Sequence, residues 1–76
     1  MNKFNKLVAA SHVSDSDKDT ILDQLDWLLV NDAGHVQAVV CSGEFYALDS
    51  NKRHQLLQAV RASKVVNSKG QEVPLN

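Results

Sequence analysis

The sequence is short of the residues from which most active sites and structural cross-links are built. Its 76 residues contain one cysteine, one proline, three glycines and four aromatic side chains. A single cysteine, Cys41, cannot form a disulfide within the chain, which is typical of reducing compartments, so we expect a cytoplasmic location. No apolar run is longer than the four residues from Trp27 to Val30, against about 20 for a membrane-spanning helix. No membrane partner is expected.

Residues that could ligate a metal or act as nucleophiles are scattered along the chain. The three histidines are His12, His35 and His54. They form no H-x₃-H pair and no C-x₂-C pair exists, so we expect no metal site. There is no glycine-rich phosphate loop, and Ser42 lacks the G-x-S-x-G context of a hydrolase nucleophile. The aspartates of residues 15–19 lack the glycine and closing glutamate of an EF-hand. The expectation is a non-enzymatic protein without a cofactor that acts by binding.

The net charge of −1 conceals an uneven distribution. Residues 1–14 carry a charge of +2, residues 15–49 carry −7, and residues 50–76 carry +4. A chain with an acidic middle and basic ends can present fields of opposite sign to different partners. The simpler interpretation is that these charges only solvate ordinary helix faces.

Hydrophobic periodicity predicts two helices in the first thirty residues. Phe4, Leu7 and Val8 recur at helical spacing and predict a helix over residues 3–11. Residues 14–19 predict a second helix start, because a serine can cap the helix and the aspartates complement its dipole. This second helix is expected to run to about Val30, ended by a turn with left-handed Gly34. Its apolar stripe consists of Ile21, Leu22, Leu25, Leu28 and Leu29.

The pattern then changes to one that favours strands. Residues 35–41 and 44–48 are rich in β-branched and aromatic side chains, and Ser42-Gly43 between them predicts the turn of a β-hairpin. Period alone leaves open which hairpin face is buried. An exposed hairpin edge could also accept a strand from a partner.

A third helix, capped by Asp49 or Ser50, is expected to run to about Ser63, with a short strand at residues 64–66 and a turn at residues 67–70. The predicted fold is a small single α+β domain of two N-terminal helices, a β-hairpin and a third helix. Residues 1–64 form this domain, and residues 65–76 form a partly disordered tail. About the last ten residues are expected to be mobile, and Gln71 to Asn76 has little to bury.

Two aromatic residues are candidates for a binding surface. Trp27 falls on the polar side of the predicted second helix, where it is either covered by another element or accessible, and Tyr46 lies on the ambiguous hairpin face. Tryptophan and tyrosine dominate interface energetics when they are accessible. The basic N-terminal helix and the start of the third helix complete the predicted partner-binding set. Its members are Lys3, Phe4, Lys6, Leu7, Val8, Trp27, Tyr46, Lys52 and Arg53.

Three strings, at residues 4–8, 27–29 and 43–48, resemble small proteins that lytic phages make to take over host transcription. The resemblance covers about the first fifty residues and includes size and element order. It implies a regulator that binds host bacterial RNA polymerase, interferes with promoter recognition by the sigma factor and, in some cases, allows passage through terminators. It carries no functional residue over to this chain.

Three alternatives remain open from the sequence. The first is a nucleic-acid-binding protein that uses the third helix and the basic tail, although the acidic middle would repel a phosphate backbone. The second is a structural or assembly subunit of a phage particle. A small enzyme comes last.

Overall fold

The centre of the protein is a three-stranded antiparallel sheet with the order β2-β1-β3. The computed structural model describes residues 3–24 and 26–75. The strands are β1 (Trp27–Val30), β2 (Val36–Val40) and β3 (Lys64–Val66). The helices within the described residues are α1 (Lys3–Ala10), α2 (Asp15–Gln24), α3 (Ser42–Ala47) and α4 (Ser50–Ala59). The predicted small α+β domain is confirmed at this level.

Helices cover both faces of the sheet. Side chains of β1 alternate between the faces, so Leu28 and Val30 contact α1 and α2, whereas Leu29 contacts α3 and α4. The first core consists of Phe4, Val8, Ile21, Leu28, Val30 and Val66. The second core consists of Leu29, Phe45, Leu57, Val65 and Val73. Leu28, Leu29 and Val30 are 0% exposed, which explains why β1 is apolar at every position.

A β-bulge in β2 allows both of its ends to contribute to these cores. Leu29 pairs with Ala38 and Val30 pairs with Val36, so Gln37 is the extra residue and is exposed to solvent. The bulge turns Val36 towards the first core, although Ala38, two positions later, lies against the second. Without the bulge, strict alternation would place these two side chains on the same face.

Two turns have the same construction: one joins β1 to β2, and the other joins β3 to Glu72, which forms an isolated bridge with Val66. In residues 31–35 and 67–71, Oδ1 of the first residue, an asparagine, accepts a hydrogen bond from the N–H of the last, at 2.9 and 3.0 Å. The fourth residue is Gly34 in one turn and Gly70 in the other, with φ of 82° and 80°. Positive φ is adopted without strain only by glycine, so the predicted left-handed Gly34 is confirmed, within a hairpin turn rather than after a helix.

The predicted helix starts are confirmed by their capping hydrogen bonds. Ser14 Oγ accepts from the Asp17 N–H at 3.2 Å, and Asp49 Oδ1 accepts from the Lys52 N–H at 2.8 Å. Each bond satisfies an N–H group that has no partner within its helix. Helix α1 ends at Ala10, one residue before its predicted end.

The predicted second helix is wrong beyond Gln24. Trp27, Leu28 and Leu29 belong to β1, and Leu25 lies outside the described residues. A short amphipathic helix followed at once by a strand buried on both faces reproduces the apolar spacing of one longer helix. Trp27 therefore does not lie on the polar side of a helix.

Of the hairpin predicted at residues 35–48, the first strand is confirmed as β2, but the turn and the second strand are wrong. Ser42 and Gly43 form the first turn of α3, and the true hairpin joins β1 to β2. Phe45, which is 1% exposed, anchors α3 in the second core, so tertiary packing overrides the strand preference of its aromatic residues. Helix α4 ends at Ala59, earlier than predicted, because Arg61 adopts a left-handed conformation with φ 58°.

The chain after residue 64 takes part in the same packing. The short strand predicted at residues 64–66 is confirmed as β3. The domain boundary predicted between residues 64 and 65 therefore falls inside this strand. Val73 is 8% exposed, and its N–H donates to the Val65 carbonyl at 2.9 Å. The expectation that Gln71 to Asn76 has little to bury is therefore wrong for Val73.

Candidate protein-binding surface

Trp27 and Tyr46 form an aromatic pair on the side of the sheet covered by α3 and α4. Their ring centroids lie 5.0 Å apart at an interplanar angle of 78°, an edge-to-face contact. Trp27 is half-buried at the start of β1 and also lies 6.0 Å from the ring of Phe45. Tyr46 remains 54% exposed. The phenol ring is therefore held in place by its neighbours while much of it faces solvent.

Arg53 fixes this pair from α4. Its guanidinium donates to the carbonyls of Phe45 at 3.2 Å, Tyr46 at 3.0 Å and Leu75 at 3.4 Å. Its Cζ also lies 5.7 Å from the Phe45 ring centroid and 5.3 Å from that of Tyr46. The Phe45 carbonyl also accepts from the Leu48 N–H at 3.2 Å, so Arg53 adds side-chain donors to the carbonyls at the end of this short helix. We call Trp27, Tyr46 and Arg53 the aromatic surface.

The sequence-predicted residues of α1 divide into two groups. Phe4 and Val8 are 1% exposed members of the first core, so their predicted direct contact with a partner is corrected to a packing role. Leu7 is half-buried against the same core. Lys3 and Lys6 are exposed, and Lys3 Nζ lies 3.4 Å from the Glu72 carboxylate.

The structure does not bring all the predicted partner-binding residues together. Residues of α1 pack on the first core, whereas Trp27 packs against the second. The sheet lies between these cores. Lys52 is exposed in the first turn of α4, next to Arg53 in sequence. Trp27, Tyr46 and Arg53 are the members whose contacts join them to one another.

Sequence reasoning assigned Leu22 to a buried stripe and so missed a second exposed apolar position. Among the described residues, Leu22 and Tyr46 are the large hydrophobic side chains that remain exposed, at 38% and 54%. The exposure of Leu22 follows once α2 is known to end at Gln24, because Ile21 is then the buried residue that anchors this short helix. Leu22 lies beside α1, on the opposite side of the sheet from Tyr46.

Other chemistry is sparse in the part of the chain that the structure describes. No three His, Cys, Asp or Glu residues within residues 3–24 and 26–75 come together as a possible metal site. Cys41 is a free, exposed thiol before α3. None of the described helices has the length and apolar character needed to cross a membrane.

No protein-family model, no curated protein and no solved structure matches this chain.

Proposed function

We propose that this protein is a non-enzymatic transcription regulator that binds bacterial RNA polymerase through the aromatic surface. In this proposal it inhibits initiation and acts in antitermination during phage takeover of the host cell, in the host cytoplasm. The observation that carries the proposal is the exposure of Tyr46 on a rigid support formed by Trp27 and Arg53.

An ordered, exposed aromatic ring is suited to a protein interface. Binding normally costs free energy because mobile side chains lose rotamer freedom, and a ring already held by its neighbours loses less. The Arg53 hydrogen bonds to the Phe45 and Tyr46 carbonyls hold the end of α3 that presents the ring. Tyrosine, tryptophan and arginine are the residue types most enriched among interface hot spots.

The choice of RNA polymerase comes from the three strings that resemble phage transcription regulators. Residues 27–29 lie in the central strand, and residues 43–48 contain α3 with its aromatic side chains. Residues 4–8 lie in α1, which packs on the first core. The strings thus contribute both to the scaffold of the sheet and to the exposed ring of the proposed contact surface.

Two of the basic residues, Arg53 and Lys64, are already engaged within the protein, and this weighs against the nucleic-acid alternative. The guanidinium of Arg53 is directed at three backbone carbonyls, and Lys64 Nζ lies 3.8 Å from the Glu72 carboxylate. Groups engaged within the protein would have to give up these partners to contact phosphates. A protein partner is therefore favoured over DNA or RNA.

Transcription in vitro with purified bacterial RNA polymerase tests the proposal. The wild-type protein should reduce promoter-dependent transcripts made with the sigma factor and increase readthrough of a terminator. Tyr46→Ala should lose both effects, whereas Tyr46→Phe, which keeps the ring, should retain them. Unchanged transcription at concentrations well above that of the polymerase would contradict the proposal.

A further inference from the structure

A groove of about 510 Å³ lies between α1 and α2, on the side of the sheet opposite the aromatic surface. Phe4, Val8 and Ala9 line it from α1, and the exposed side chain of Leu22 lines it from α2. Asp15 and Asp19, both exposed, lie along the α2 side of the same groove. The groove therefore combines an apolar floor with an acidic rim.

The acidic rim of the groove is only partly neutralised by its neighbours. The charged residues that line the groove are Asp15, Asp19 and one lysine, a net charge of −1. That lysine, Lys18, donates to the Ala9 carbonyl at 3.1 Å and lies 3.9 Å from Asp15, whose side chain is fully exposed. Asp19 makes no ion pair with any described residue. The field at the groove is accordingly negative.

We propose that this groove is a docking site for an amphipathic helix with an apolar stripe and lysine or arginine residues along its edges. Two helices with an exposed leucine between them form the arrangement into which a third helix packs its apolar face. The aspartates then face the basic edges of the incoming helix, and this charge complementarity identifies the partner as basic. Leu22 is the anchor that the partner helix covers.

The groove stands independently of polymerase binding, because it shares no residue with the aromatic surface. The wild-type protein can fail to alter transcription and still bind a basic helix at α2. It can equally regulate transcription through Tyr46 with an empty groove. Substitutions of Tyr46 therefore test polymerase binding, whereas substitutions of Leu22 and the aspartates test the groove.

Titration of the isotopically labelled protein with synthetic peptides tests the groove by NMR. The first peptide has about 15 residues, leucines spaced three and four apart, and lysine and arginine on both flanks. The second has the same leucines, with glutamate at every basic position. The first should bind saturably, with shifts concentrated on the backbone amides of Phe4, Ala9, Asp19 and Leu22. The second should not bind.

Variants of the exposed residues complete the test. Leu22→Ser should weaken binding of the basic peptide by at least about 10-fold, and Asp15→Asn with Asp19→Asn should do the same at low salt. Tyr46→Ser, on the other side of the sheet, serves as the matched control and should leave the dissociation constant unchanged. Circular dichroism establishes that each variant is folded.

Five results would overturn the groove proposal. Two concern the peptides: no saturable binding of the basic peptide, or equal binding of both peptides. Two concern the site: chemical shift changes that lie elsewhere on the protein, or an affinity for the basic peptide that neither Leu22→Ser nor the pair of aspartate substitutions changes. A concentration-dependent dimer abolished by Leu22→Ser would also overturn it, because the occupant would then be a second copy of this chain.

Discussion

The rings of Trp27 and Tyr46 meet edge to face at 5.0 Å, although one belongs to the central strand and the other to a helix on the outer layer. This contact links β1 to the only strongly exposed aromatic side chain among the described residues. A double-mutant cycle with Trp27→Ala and Tyr46→Ala should give a coupling free energy of unfolding of about 0.5–1.5 kcal/mol. Urea denaturation of the four proteins measures it. A coupling near zero would mean that the ring is not held by Trp27.

Replacing Arg53 with lysine should destabilise the fold although the charge is kept. Lysine cannot reach the carbonyls of Phe45, Tyr46 and Leu75 at once with a planar fork. The expected loss in the free energy of unfolding is about 1–3 kcal/mol, because hydrogen bonds to a charged donor are lost. Lys52→Ala, an exposed neighbour, should change stability by less than about 0.5 kcal/mol. Equal effects of the two substitutions would contradict this role for Arg53.

The two left-handed glycines should respond differently to alanine. Gly34→Ala should cost about 1–2 kcal/mol from backbone strain alone, because an added Cβ meets no atom within 4 Å. Gly70→Ala should cost more, since its Cβ would also lie 3.2 Å from the backbone nitrogen of Lys3. Thermal unfolding of both variants checks the order. Equal costs would show that the turn at residues 67–71 moves away from α1 without penalty.

Arg61→Gly should stabilise the protein. Arg61 ends α4 with φ 58°, its N–H donates to the Gln58 carbonyl at 3.1 Å, and the Ala62 N–H donates to the Leu57 carbonyl at 2.8 Å. This is the Schellman arrangement, in which glycine is preferred at the left-handed position. The expected gain in the free energy of unfolding is about 0.5–1 kcal/mol. Arg61→Ala, which keeps the strain, is the control and should give no gain; an equal gain would point to removal of the charge instead.

The sequence predicted those elements that depend on local chemistry. The caps at Ser14 and Asp49, the left-handed Gly34 and the turn at residues 67–70 all follow from side chains that bond to nearby backbone groups. The α+β class follows from the change in hydrophobic period. These features need no knowledge of which elements touch.

The elements that were mistaken depend on contacts distant in sequence. β1 is a strand because β2 and β3 flank it, yet its four apolar residues also continue the spacing of α2. Phe45 makes α3 a helix by entering a core completed by Val65 and Val73. The aromatic surface could not be predicted for the same reason, since Trp27, Tyr46 and Arg53 meet only after the strand and both helices have packed.

A direct binding titration with purified bacterial RNA polymerase tests the central claim most sharply. Wild-type protein should form a saturable complex, Tyr46→Phe should bind within a few-fold of it, and Tyr46→Ala should bind about 30-fold more weakly, equivalent to about 2 kcal/mol. Absence of a saturable complex with the wild-type protein, or identical affinities for wild type and Tyr46→Ala, would contradict recognition of the polymerase through this aromatic side chain.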